Sequence, residues 1–172
     1  MGVDPGLRTT GWAVIALDAS RLIYVAHGTV KSRDRDSLAE RLVQLFDGLG
    51  EVIATHRPAE AAVEETFVNR NPATTLALGH ARAIALLTPA RAGLPVFEYS
   101  PNLIKKTVVG SGHAAKEQIQ AMVRILVRGC PTVGPDAADA LGVAICHAHH
   151  RTALRRARAL GQPVAVAAEP GA

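Results

Sequence analysis

The stretch Val3-Asp4-Pro5-Gly6-Leu7-Arg8-Thr9-Thr10-Gly11-Trp12-Ala13-Val14-Ile15 places one acid directly before a Pro-Gly turn, and an apolar run follows. Pro5 lacks a backbone N–H and Gly6 tolerates positive φ, so this pair ends a strand and turns the chain. Asp4 is therefore expected at the end of a strand, with its carboxylate held on a sheet. The pattern is equally typical of an ordinary turn in which the Asp makes local hydrogen bonds, so the other acids of the chain must decide its role.

The patterns on the C-terminal side of this turn predict an α/β fold. Residues 11–18 and 22–30 have the composition of two strands, which form an antiparallel meander with residues 1–4. Further strands are expected at 60–65 and 95–99. Helices are expected from the Ser37–Glu40 capping-box pattern to Pro58, and over 73–88, 101–108, 114–128 and 136–158. This order predicts a mixed five-stranded sheet, an antiparallel meander followed by parallel strands, with helices on both faces.

Length and composition indicate one globular domain. The chain has 172 residues, of which 48% are hydrophobic and 20% are charged, as is usual for a domain that buries a sizeable core. Apolar runs stay well short of the roughly 20 residues of a membrane span, and the N-terminus does not read as a secretory signal. Cys130 and Cys146 form no CxxC pair and fit a reducing cytoplasm. We expect one domain over residues 1–158 and a flexible tail over 159–172.

The net charge of +4 is unevenly distributed. Residues 105–128 contain five basic side chains and a single acid, Glu117. A basic face beside separate acids suits a polyanionic partner such as nucleic acid. The same charges are also typical of a helix face that is simply exposed to solvent. If net charge is the only evidence, the solvent-exposed face is slightly preferred over a nucleic-acid surface.

Three further acids lie in settings that match that of Asp4. Glu64 and Glu65 end a predicted strand; because side chains alternate along a strand, only one of them can point where Asp4 points, and Glu64 is preferred. Asp136 and Asp139 lie three residues apart at the start of the last helix, which places them on one face. A helix N-terminus favours acids in any case, so Asp136 is equally explained as a plain N-cap.

Carboxylates that converge from two strands and a helix repel one another, and they are tolerated together only around cations. Oxygen ligands without a Cys/His set indicate Mg²⁺, with Mn²⁺ as the alternative, rather than zinc. Two such ions about 4 Å apart can activate water and stabilise the leaving oxygen in phosphodiester hydrolysis. Sequence spacing alone does not establish that the acids converge.

Five motifs, in this order, resemble the RuvC family of Holliday-junction resolvases. They are Asp4-Pro5-Gly6-Leu7-Arg8-Thr9-Thr10-Gly11-Trp12, Val63-Glu64-Glu65-Thr66-Phe67, Asn69-Arg70-Asn71, Thr107-Val108-Val109-Gly110-Ser111-Gly112 and Asp136-Ala137-Ala138-Asp139-Ala140-Leu141. The resemblance spans roughly residues 2–150. It implies an RNase H-like fold and a homodimer that makes paired, symmetric nicks in four-way junction DNA, leaving 5′-phosphate ends. It also implies cooperation with the RuvA–RuvB branch-migration complex.

The resemblance also implies roles for individual residues. Asp4, Glu64, Asp136 and Asp139 correspond to the four catalytic and metal-binding acids of the family, with two ions in each site and Asp4 bridging them. Phe67 corresponds to an aromatic residue on the loop after the catalytic Glu, where a ring can stack on an unpaired base.

Basic side chains are the remaining candidates for contact with DNA. Lys105 and Lys116 match family positions with roles in DNA contact and active-site support, whereas Lys106 and Arg82 are weaker candidates for phosphate contact. Arg70 belongs to the polar loop that carries Phe67. His113, after Gly112, is a further possible phosphate contact. The basic residues predicted to contact DNA are therefore Arg70, Arg82, Lys105, Lys106 and Lys116.

Helix 73–88 has Leu76, Gly79, His80 and Ala83 at helical spacing. This stripe predicts close approach of a partner helix, and two symmetric nicks require two sites related by a dyad. The simpler alternative is that the stripe packs on the sheet of its own chain.

The last helix carries Cys146, His147, His149 and His150, but their spacing matches no standard zinc set. Because only three residues precede Asp4 here, its strand is expected to lack outer hydrogen bonds that a longer strand would make. Two other classes of function remain open: a nucleotide phosphotransferase of the actin and sugar-kinase group, and a non-catalytic DNA-binding module on the same fold.

Overall fold

The computed structural model describes residues 1–66, 71–112 and 115–159, and for residues 153–159 the backbone alone. Its strands are β1 (Gly2–Asp4), β2 (Thr9–Asp18), β3 (Arg21–Lys31), β4 (Ala61–Glu64), β5 (Val96–Tyr99) and β6 (Val127–Arg128). Its helices are α1 (Leu38–His56), α2 (Pro72–Arg91), α3 (Pro101–Val109), α4 (Lys116–Leu126) and α5 (Pro135–Ala159).

The six strands form one mixed sheet in the order β5-β4-β1-β2-β3-β6. β1, β2 and β3 are the antiparallel meander, while β4 pairs in parallel with β1, and β5 in parallel with β4. The α/β architecture and this mixed topology confirm the prediction from the sequence. The predicted number of five strands is wrong.

The additional strand is β6. Its two residues were expected to be the end of a helix over 114–128. In the structure this helix ends at Leu126, and Val127 and Arg128 pair in parallel with Leu22 and Ile23. Val127 is fully buried, so burial of its side chain accompanies the switch to extended backbone. A two-residue strand shows no alternation in sequence, which is why the pattern did not predict it.

Helices cover both faces of the sheet. On one face, α1 and α2 pack over a core that includes Leu45, Leu49 and Ile53. The capping box at Ser37 and Glu40 starts α1 as predicted. On the other face, α5 lies against the sheet beneath α3 and α4.

Two glycines allow α5 to lie unusually close to the sheet. A Cβ atom at Gly2 would overlap the carbonyl oxygen of Ala140, and one at Gly11 would overlap the carbonyl oxygen of Asp136. Any larger residue at these positions would push the helix outward. The first two turns of α5 are therefore seated directly on β1 and β2.

The first strand is short but hydrogen-bonded on both sides. β1 pairs with β2 and β4, the Met1 carbonyl accepts from the Ala62 N–H, and the Met1 amino group donates to the Glu60 carbonyl at 2.6 Å. These bonds extend the pairing with β4 beyond the strand itself. Over the described residues, the helices are too short or too polar to cross a bilayer.

Candidate active site

Two neighbouring parallel strands present Asp4 and Glu64 on the same face of the sheet. Gly2 pairs with Ala62, and both face α5, so Asp4 and Glu64, two residues further along each strand, also face α5. Glu65 lies beyond the end of β4. The alternation argument that favoured Glu64 over Glu65 agrees with this geometry.

The first turns of α5 contribute the other two acids. Asp136 belongs to the opening turn, where a carboxylate is favoured by the free N–H groups and the helix dipole. Asp139 is one turn further on and is half-buried against the ends of the strands. The close approach of α5 to Gly11 holds this part of the helix beside Asp4.

The four carboxyl groups lie close enough to perturb one another. Burial, followed by the charges of Glu64, Asp139 and Asp136, raises the pKa of Asp4 to about 8. Burial and the charge of Asp139 raise the pKa of Glu64 to about 7. Burial also raises the pKa of Asp139. Asp4, Glu64 and Asp139 therefore form one poorly solvated, mutually repelling cluster, and Asp136 lies exposed beside it.

Two lysines approach this cluster from the helices that cover it. The Lys116 Nζ lies 3.6 Å from Asp139 Oδ2, and its charge lowers the pKa of Asp4, Glu64 and Asp139. Lys105 of α3 acts in the same direction on Glu64. Lys116 begins α4, a position where the helix dipole disfavours a cation.

The donor chemistry of this cluster fits a hard divalent cation. Its ligands are carboxylate oxygens, the set that Mg²⁺ and Mn²⁺ prefer. A bound cation would offset both the loss of hydration on burial and the mutual repulsion of the carboxylates. In the arrangement described for residues 1–66, 71–112 and 115–159, no three acidic, His or Cys side chains form a ready-made metal cage. Among the described residues, the acids are thus close enough to affect one another's pKa values but are not arranged as a complete coordination shell.

The predicted DNA contacts fall into three groups. Lys105 and Lys116 adjoin the acids, and Lys106 is exposed on α3. Arg82 is engaged elsewhere: its Nε and Nη2 lie 2.8 and 2.6 Å from Glu98 Oε1, so it links α2 to β5. Phe67, Arg70 and His113 lie outside the described residues.

The stripe on α2 faces away from the sheet. Leu76 is 65% exposed, and Gly79, His80 and Ala83 are exposed with it. The inward face of the helix is formed instead by Ala81 and Ala85. The alternative that this stripe packs on the sheet of its own chain is therefore wrong.

In the histidine-rich part of α5, His147 belongs to a hydrogen-bonded network. His147 Nε2 lies 2.8 Å from Glu60 Oε2, its Nδ1 lies 3.0 Å from the Tyr99 hydroxyl, and Arg151 also binds Glu60. Both ring nitrogens of His147 are thus engaged by protein groups. Sequence reasoning missed Glu60, since a single acid before a strand carries no distinguishing signal.

Comparisons with known proteins identify the family of this chain. The family model described as crossover junction endodeoxyribonuclease RuvC matches residues 1–147. A protein of that name from Rhodopseudomonas palustris is 58% identical over 161 residues, covering 94% of this chain and 92% of the relative. Another from Afipia carboxidovorans is 56% identical over 163 residues, covering 93% and 95%.

A solved structure also matches. T. thermophilus RuvC in complex with a Holliday junction substrate superimposes with a TM-score of 0.80 at 33% identity, covering 88% of this chain and 94% of that one. The chain therefore belongs to the RuvC family of crossover junction endodeoxyribonucleases.

Proposed function

We propose that this protein cleaves Holliday junctions by metal-dependent hydrolysis of phosphodiester bonds, making paired symmetric nicks with 5′-phosphate ends during DNA recombination and repair. The observation that carries the proposal is the cluster of Asp4, Glu64 and Asp139 beside Asp136, with raised pKa values and Lys116 alongside. The relatives that share most of this chain are named crossover junction endodeoxyribonucleases.

In this proposal the four acids coordinate the metal ions. Asp4, Glu64, Asp136 and Asp139 would bind Mg²⁺, or Mn²⁺ in its place, with two ions in each site. Bound divalent ions supply an activated water and charge stabilisation at the phosphate. The carboxylates are held on two paired strands and one buried helix, so their positions are set by the core rather than by a loop.

The basic residues contribute to binding and positioning. Lys105 and Lys116 place positive charge beside the acids, where the phosphates of the substrate would otherwise be repelled. Lys106, exposed on α3, extends this basic surface. Phe67 and Arg70 are proposed to contact the junction from the loop after β4. Arg82 has an intramolecular partner in Glu98, so we propose it as a phosphate contact only if DNA displaces that pair.

We further propose that the active form is a homodimer. Two nicks related by a dyad require two sites in one assembly. The exposed stripe of Leu76, Gly79, His80 and Ala83 on α2 supports this, since small residues beside a large apolar one permit close packing of a partner helix. The oligomeric state is measured by light scattering on the purified protein, and a monomer at the concentrations that give paired nicks would contradict the proposal.

The cellular setting is proposed from the family. We propose cooperation with the RuvA–RuvB branch-migration complex and a cytoplasmic location. Residues 1–158 are proposed as the nuclease domain and 159–172 as a C-terminal tail.

A nicking assay tests the function directly. The substrate is a synthetic four-way junction labelled on each strand, with linear duplex of the same sequence as the control. We expect nicks in two opposite strands that require Mg²⁺ and that can be sealed by ligase, with little cleavage of the duplex. Binding without cleavage would favour a DNA-binding module, and saturable ATP binding would favour a phosphotransferase.

A further inference from the structure

A second charged surface lies at the same end of the sheet as the acids. The turn over residues 5–8 follows β1, and the loop over residues 32–36 follows β3, which runs parallel to β1 with β2 between them. Both connections therefore leave the sheet at the end of the strands where Asp4 lies. Strands are about 4.8 Å apart, so the end of β3 lies roughly 10 Å across the sheet from the strand of Asp4.

Hydrogen bonds fasten this loop to the turn that follows Asp4. The Ser32 N–H donates to the Arg8 carbonyl at 3.1 Å, and the Ser32 hydroxyl donates to the Leu7 carbonyl. Arg41 of α1 donates from its Nε to the Ser32 hydroxyl oxygen at 2.9 Å. Ser32 itself is buried. These hydrogen bonds hold the loop in a fixed position relative to the turn that follows Asp4.

The turn and the loop together present three arginines to solvent, here named the arginine ledge: Arg8 from the turn, and Arg33 and Arg35 from the loop. Their side chains are 81%, 65% and 82% exposed. Two aspartates pair with them: Arg8 Nε lies 3.1 Å from Asp34, and the Nε atoms of Arg33 and Arg35 lie 2.7 and 3.9 Å from Asp36.

These ion pairs leave the ledge free to bind a larger anion. In each pair the arginine is exposed, so water competes for its guanidinium group and weakens the pair. The two aspartates also have other partners, because Arg41 donates to Asp34 and Gln44 donates to Asp36 at 2.6 Å. Three arginines face two shared carboxylates, so the surface keeps excess positive charge. A guanidinium binds a phosphate diester through two parallel hydrogen bonds, which suits the DNA backbone.

We propose that the arginine ledge binds backbone phosphates of a junction arm whose cleaved phosphate lies at the acids. The ledge and Asp4 lie at the same end of the sheet, on connections that follow strands two positions apart. Arg8, Arg33 and Arg35 are positioning residues in this scheme, because they orient the arm and do not touch the reacting atoms. The inference rests on the proposed function.

The test measures how junction binding depends on salt. The variant Arg8→Gln/Arg33→Gln/Arg35→Gln is titrated against a fluorescent four-way junction in EDTA, from low to physiological salt. Each phosphate contact contributes about 0.9 to the slope of log K against log [salt]. We therefore expect the slope to become shallower by about 2–3 and the affinity to fall at every salt concentration.

Matched variants separate a specific contact from a loss of net charge. Arg21→Gln/Arg57→Gln/Arg91→Gln removes the same charge from exposed arginines at the opposite end of the sheet, and its slope is expected to stay close to that of the parent protein. Arg8→Lys/Arg33→Lys/Arg35→Lys keeps the charge and is expected to keep most of the slope. Arg35→Gln alone touches only the 3.9 Å pair, so it tests one contact without disturbing the loop.

The outcomes distinguish failure of the proposed function from failure of the ledge as a DNA contact. If the parent protein fails to prefer the four-way junction over linear duplex, the proposed function fails. If the parent protein binds the junction and the Gln variant keeps its slope, the arginine ledge is not a DNA contact. Equal losses in the ledge variant and the opposite-end variant would also overturn the inference, and so would a Lys variant that loses as much slope as the Gln variant.

Discussion

Replacing Asp4 by Asn is expected to abolish nicking and, at the same time, to stabilise the metal-free protein. Burial, and then the neighbouring acids, raise the pKa of Asp4 from 3.8 to about 8. Between these values the folded protein keeps a proton that the unfolded chain has lost. The free energy of unfolding therefore falls by up to about 1.4 kcal/mol for each pH unit across this window as pH rises, and it levels off above pH 8.

The size of the effect follows from the width of that window. A difference of about 4 pKa units corresponds to roughly 5–6 kcal/mol at pH 8, and this is an upper limit because the neighbouring carboxyl groups titrate together. Asn keeps the shape of the side chain and removes its charge. We expect a gain of about 2–4 kcal/mol at pH 8, which raises Tm by roughly 5–15 °C in a domain of this size. At pH 5 the gain shrinks to about 1 kcal/mol.

Thermal unfolding in EDTA, followed by circular dichroism at pH 5 and pH 8, measures the gain. The control is Asp47→Asn, which removes the same charge from an exposed position on α1 and is expected to change Tm little. Junction binding should survive in Asp4→Asn, because phosphate contacts do not require that carboxylate. An equal gain at both pH values would refute the electrostatic reasoning. Retained nicking would refute the catalytic assignment.

Three further outcomes are expected. Gly11→Ala should destabilise the protein by about 1–3 kcal/mol and slow nicking more than Tm alone explains, since the added methyl group displaces the start of α5; a normal nicking rate would contradict this. Arg82→Met and Glu98→Gln should lower Tm by similar amounts in parallel melts, because each removes half of one ion pair; weaker junction binding in Arg82→Met alone would make it a phosphate contact. Lys116→Met should shift the pH–rate profile of nicking upward, because Lys116 lowers the pKa values of the acids; an unshifted profile would count against its role.

Much of the fold could be predicted because its signals are local. The Ser37–Glu40 capping box and the leucines of α1 specify a helix within one stretch of chain, and the structure places that helix at Leu38–His56. The Pro-Gly turn after Asp4 and the alternation at the end of β4 likewise predict where two carboxylates point. Each of these inferences depends on neighbours within a few residues.

What escaped prediction depends on contacts between distant segments. β6 exists because Val127 is buried and its backbone can pair with the start of β3, about one hundred residues earlier in the chain. Glu60 acquires its role from His147 and Arg151 on a helix that no local pattern connects to it. The arginine ledge belongs to the same class, since its loop and its turn are brought together only by the pairing of β2 with β3.

α5 contacts the rest of the fold tightly at two places, and this constrains how the length of the helix can change. Its first turns are seated on Gly2 and Gly11, and its later turns are held to Glu60 through His147 and Arg151. One residue inserted between Asp139 and His147 would rotate one end against the other by about 100° and shift it by about 1.5 Å. Either the carboxylates or the Glu60 contacts would then be misaligned. An insertion or deletion between Asp139 and His147 should therefore impair either nicking or stability.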